Sequence, residues 1–156
     1  MAATKQSTKR STGRREEATT GFTAEERAAL KERAQEVRPG RASRKKQDGE
    51  RDVLDKIAEM PEPDRVMAER IHEIVKSTAP SLESRTWYGM PAYAKDGKVL
   101  CFFQSADKFK SRYATFGFSD VAVLDDRVMW PTSYPFTELG DAEVAQIAEL
   151  VERAVR

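Results

Sequence analysis

From residue 50 onward the hydrophobic positions follow two different periods. Val53, Leu54, Ile57 and Met60 fall at helical spacing in a short segment that Pro61 ends. Met67, Ile71, Ile74 and Val75 form the stripe of a second helix running to about Ser77, with Asp64 suited to its N-cap. After Pro80 the pattern changes to strands at Ser84–Tyr88, Ala92–Lys95, Lys98–Gln104 and Arg112–Phe118. Gly89-Met90-Pro91 reads as a break between the first two, with Met90-Pro91 a candidate cis bond. Asp96-Gly97, flanked by Lys95 and Lys98, predicts a two-residue type I′ hairpin, because both central residues of that turn need positive φ. Val99 to Phe103 is continuously apolar, which suits a central strand covered on both faces. Ser119 can cap a brief helical turn through Val121, Val123 and Leu124. Met129–Phe136, carrying Pro131 and Pro135, fits an edge segment rather than a central strand. Asp141 then caps a last amphipathic helix with Val144, Ile147, Ala148, Val151, Ala154 and Val155 along one stripe.

The chain before residue 50 has a different character. Residues 1–21 carry no large apolar side chain after Met1, so they predict a disordered basic tail. Thr23-Ala24-Glu25-Glu26 is a capping-box pattern that opens a helix to about Val37, stopped by Pro39-Gly40. That helix offers only alanines, Leu30 and Val37 for burial, and a polar linker from Arg41 to Gly49 follows it. The division expected is a tail at 1–21, a helical extension and linker at 22–49, and a domain at 50–156. The fold class is α+β: a small antiparallel sheet of 4–5 strands packed against N- and C-terminal helices.

Composition supports that boundary. Charged residues make up 34% of the chain, above the usual ~25%, which places part of it outside any core. Residues 1–50 hold 13 Lys and Arg against 8 Asp and Glu, so a near-neutral total of +1 conceals a basic front and a mildly acidic body. The basic front is a candidate surface for nucleic acid or an acidic partner. Cys101 is the only cysteine, so no intramolecular disulfide forms; it reads as a small buried hydrophobe with no base beside it. No apolar run reaches the ~18–20 residues of a membrane span, and the N-terminus lacks the apolar core of a signal peptide. A cytoplasmic protein is the expectation, with oligomeric state left open.

Candidate chemistry gathers at Trp87-Tyr88-Gly89-Met90-Pro91-Ala92-Tyr93, where three aromatic rings fall within seven residues. Trp87, Tyr88, Tyr93 and Phe103 are candidate walls of a small-ligand pocket, with Lys108, Lys110 and Arg112 as its anion contacts. The competing reading makes these rings ordinary sheet core, with Gly89 and Pro91 there to turn the chain. His72, the only histidine, lies beside a helical stripe and reads as a boundary residue. Glu69 and Glu73, one turn apart, are a candidate carboxylate pair for a hard cation such as iron; a solvated face near Arg65 and Arg70 is the alternative.

The Trp87–Tyr93 stretch, Asp96-Gly97-Lys98-Val99, Phe103, Lys108 and Tyr113-Ala114-Thr115-Phe116-Gly117-Phe118 together resemble the YdhG-like domains of unknown function, over about Asp52 to Arg156. The resemblance implies a compact α+β domain. Through a frataxin-like branch of that family it also implies iron as a cofactor or cargo. No nucleophile elbow, nucleotide motif or metal motif is present, so the expectation is a non-enzymatic binding domain. Its partner would be a small molecule, iron or a protein; nucleic-acid binding through the basic N-terminal segment is the alternative.

Overall fold

The computed structural model describes residues 21–38 and 46–156. The tail expected at 1–21 lies outside the described residues except for Gly21, as do residues 39–45 of the expected linker. The helices are α1 (Ala24–Glu36), α2 (Lys46–Ala58), α3 (Asp64–Thr78) and α4 (Asp141–Ala154). The strands are β1 (Glu83–Trp87), β2 (Met90–Lys95), β3 (Lys98–Gln104), β4 (Ala114–Phe118) and β5 (Ser133–Phe136). They form one five-stranded antiparallel sheet in the order β1-β2-β3-β4-β5, a meander in which every neighbour in space is the neighbour in sequence.

β3 is the central strand, and its apolar run is used in two directions. Cys101 and Phe103 lie across from Tyr93, Phe116 and Phe118 on the face that meets the helices, where Ile71, Val75, Ile147 and Val151 complete the core. Phe102 points to the opposite face, where its ring covers Gly117 and contacts Trp87 at 5.2 Å between centroids. Register slips between Tyr93 and Ala94, whose partners are Cys101 and Val99. Leu100 is the extra residue, and the bulge leaves it buried beside Cys101. Cys101 is buried, and burial pushes its thiol pKa upward.

Several boundaries differ from the sequence reading, each for an identifiable reason. The break is not at Gly89-Met90-Pro91: the turn is Tyr88-Gly89, and Met90 and Pro91 already belong to β2, paired with Trp87 and Thr86. Pro91 is tolerated because Thr86↔Pro91 is a non-hydrogen-bonded pair, and the β2–β3 ladder starts only at Ala92↔Phe102. The cis peptide bond among the described residues is Glu62–Pro63; Met90–Pro91 is trans. α2 begins at Lys46, so part of the expected linker is helical. Gly49 had disguised this, and the structure supplies its reason: a Cβ there would overlap the Ser84 carbonyl oxygen where α2 crosses β1. Asp64 is the first residue of α3 rather than its cap, and the cap position, Pro63, makes no side-chain hydrogen bond. Gly140, not Asp141, caps α4, its amide donating to Glu143 at 3.0 Å. Ser119–Leu124 is a hydrogen-bonded turn rather than a helix.

His72 is buried on α3 between the sheet and α2. The Glu50 carboxylate can only accept, so His72 Nε2–H donates to it at 3.3 Å, and Nδ1 accepts the Tyr93 hydroxyl at 3.0 Å. Burial pushes the His72 pKa below its ordinary value, outweighing the pull of Glu50, while Lys76, which also pairs with Glu50, pushes the same way as burial. Burial likewise pushes the Tyr93 phenol upward, so that it keeps its proton and donates.

Two predictions follow from this packing. Gly49→Ala gains helix propensity but drives a methyl into the β1 backbone. It should therefore lower stability by about 1–3 kcal/mol in urea unfolding; a raised midpoint would contradict the crossing described. Because folded His72 binds fewer protons than the unfolded chain, its contribution is complete above about pH 7. That contribution should be lost as pH falls below the unfolded value of ~6.5. The Tm of the wild type should drop between pH 6.5 and 5.5, and His72→Gln should lack that part of the slope; parallel curves would refute it.

Candidate functional site

The Tyr88-Gly89 turn has φ of 52° and 74°, the left-handed pair that a type I′ hairpin needs. Tyrosine rarely occupies that region, where an L side chain is strained by about 1–2 kcal/mol. The two central amides of such a turn are not used by the strand ladder and project outward together. Here both meet one carboxylate: Tyr88 N–H donates to Glu36 at 3.0 Å and Gly89 N–H at 2.9 Å. Glu36 is the last residue of α1, and its side chain is only 8% exposed. Arg33, one turn earlier on the inner side of α1, pairs with Glu36 at 3.3 Å and lies over the Tyr88 ring.

One helical turn before Glu36, Glu32 enters an adjacent cleft of about 140 Å³. Met60, Pro61, Met90 and Phe103 supply its apolar lining, and Ser105, Lys56 and Lys108 its polar groups. Lys56 Nζ and Lys108 Nζ each stand 2.9 Å from a Glu32 oxygen. Burial raises the pKa of Glu32, but the hydrogen bonds and charges of Lys108 and Lys56 outweigh it and hold the carboxyl below its ordinary value. The same pairing raises Lys56 against the lowering effect of burial. Glu59, reaching Lys56 at 3.5 Å, and Asp107, paired with Lys110 at 3.0 Å, stand at the rim.

The loop that carries Lys108 is fixed from below. Buried Asp64 accepts the amides of Ala106 at 3.3 Å and Asp107 at 3.0 Å, and Ser105 Oγ accepts the amide of Lys108. The acid expected to cap α3 instead ties α3 to the β3–β4 loop.

The structure gathers some of the expected site residues and separates others. Phe103 and Lys108 line the cleft. Trp87 and Tyr88 are half-buried and meet edge to face at 5.1 Å, Trp87 packing on Phe102 and Tyr88 contributing its amide rather than its ring. Tyr93 is wholly within the core against His72. Lys110 is exposed with Asp107, and Arg112 lies over the neighbouring Tyr113 ring. Glu73 pairs with Arg70 at 2.9 Å on the exposed side of α3, and Glu69 is exposed. Among the described residues no group of three or more His, Cys, Asp or Glu side chains is placed to hold a metal ion.

Glu32, Glu36, Lys56 and Ser105 are not singled out by the sequence, and Asp64 only as a helix cap. One signal is present: Ala29, the buried residue of α1, shares a helix face with Glu32 and Glu36 at i+3 and i+7, which are half-buried acids on an otherwise polar helix. No protein-family model, curated protein or solved structure matches the chain. No helix among the described residues is long and apolar enough to cross a membrane.

Gly89 carries the tightest requirement of the site. A Cβ there would overlap the Glu32 carboxylate and come within 2.9 Å of Lys108 Nζ, on a backbone already at positive φ. Gly89→Ala should therefore cost about 1–3 kcal/mol in denaturant unfolding and speed hydrogen exchange across α1; an unchanged midpoint with unchanged exchange would contradict this account.

Proposed function

We propose that this chain is a binding domain whose cleft beside the Tyr88-Gly89 turn takes the acidic group of a small ligand. The observation that carries the reading is the convergence of two ammonium groups, Lys56 and Lys108, on a single carboxylate above an apolar floor of Met90 and Phe103. An apolar lining with a few convergent polar groups is the usual construction of a small-molecule site. Charge-assisted bonds of this length suit carboxylate or phosphate oxygens. Binding rather than catalysis is the reading the remaining groups support: Cys101 is buried with its thiol pushed upward, and both ring nitrogens of His72 are engaged away from the cleft.

A panel of small organic acids and phosphate esters tests the reading by thermal shift. A ligand at about 100 times its Kd adds ~2.7 kcal/mol, which corresponds to a rise of several degrees for a domain of this size. At least one compound should raise the Tm of the wild type and leave the Lys56→Ala, Lys108→Ala double variant unmoved. Equal shifts in both proteins, or none in the wild type, would defeat it.

A further inference from the structure

The cleft and the turn already hold anions, and both belong to α1. Glu32 is bound by Lys56 and Lys108, Glu36 by the amides of Tyr88 and Gly89. These contacts span 24 to 76 positions of sequence, so they are tertiary docking contacts rather than features of the helix itself. Apolar burial adds little to them: Ala29 is the buried residue of α1, while Phe22, Leu30 and Val37 are exposed. Fully burying a single methyl-sized group is worth only ~0.8 kcal/mol. Charge therefore holds α1 in place, whereas α3 and α4 are held by core side chains.

A helix attached in this way competes with anions in solution. If its carboxylates leave, Lys108 and two outward-pointing amides lose their partners together and Lys56 keeps only Glu59 at 3.5 Å, and buried or half-buried groups without partners are costly. Another anion offering oxygens at the same two places restores what the helix provided. Residues one turn apart have Cβ atoms about 5–6 Å from each other, so the replacement needs two acidic groups at comparable separation rather than one.

We infer that α1 is a built-in competitor for the cleft, and that the external ligand is a small dianion: one acidic group between Lys56 and Lys108, the other on the Tyr88 and Gly89 amides. This inference rests on the proposed reading of the cleft as an anion site and adds the second subsite and the occupant that must leave. Docked α1 reduces the apparent affinity by the fraction of molecules in which the site is open. Relieving it raises affinity without any new contact.

The full chain is labelled with 15N and titrated with propane-1,3-diol bisphosphate, and in a separate arm with glutarate, against sodium chloride at matched ionic strength. The Tyr88 and Gly89 amide resonances report the site. The Glu32→Gln, Glu36→Gln variant keeps the side-chain size and removes the competing charges. It should bind at least one probe about tenfold more tightly than the wild type, for an α1 docked in roughly nine molecules of ten. The arm that binds more tightly identifies phosphate or carboxylate as the preferred group. In the wild type the same probe should accelerate amide hydrogen exchange across residues 24–36, a measurement that stands even if the variant fails to fold. Equal affinity in variant and wild type, or unaccelerated exchange at saturating probe, overturns the competitor while leaving the cleft an anion site. Absence of any shift at Tyr88 and Gly89 in both proteins, or shifts that survive Lys56→Ala with Lys108→Ala, overturns the anion site as well.

Discussion

The arrangement depends on a backbone constraint two residues long. Tyr88 and Gly89 must both adopt positive φ for β1 to return directly as β2, and that conformation turns two amides away from the sheet with no strand to receive them. A carboxylate from α1 receives them instead. The strain at Tyr88, the buried acid at Glu36 and the docking of an otherwise polar helix are one interaction seen from three sides. The adjacent Lys56–Glu32–Lys108 bridge follows from it, because a helix fixed at Glu36 places Glu32 one turn away over the cleft.

Support for the cleft comes from the far side of the sheet's end. Asp64, at the start of α3, shapes the β3–β4 loop through its amides, and that loop delivers Lys108. Lys56 arrives separately on α2, whose position is set by the close crossing of Gly49 over β1. Three elements distant in sequence thus meet at one carboxylate, while the body of the fold is a meander whose contacts are mostly between sequence neighbours. The local part of the structure and the site are built on different length scales.

That difference explains what could be read from the sequence. The α+β class, the Asp96-Gly97 hairpin, the central β3, the edge position of β5 and the capping box of α1 rest on short-range pattern, and all are present. Short-range pattern displaces the turn at Tyr88-Gly89 because Pro91 resembles a strand breaker; whether proline breaks a strand depends on which side its missing N–H would face, and register decides that. The pattern starts α2 too late because Gly49 resembles a linker residue until its neighbour Ser84 is known. Phe103 and Lys108 of the cleft were legible from aromatic clustering and charge. Glu32, Glu36 and Lys56 were not, since each looks like a solvent-facing charge and only the fold brings them to a common point.

The sheet has two free borders, and each is closed by different means. Ser84 belongs to a non-hydrogen-bonded pair with Tyr93, so its carbonyl points outward from β1, and it is there that α2 lies at Gly49. At the other border β5 is four residues long and carries Pro135, which offers no N–H to an incoming strand. Neither border invites another chain to extend the sheet. Self-association by strand addition is thereby disfavoured at both ends, and replacing Gly49 by a bulkier residue would open the longer one.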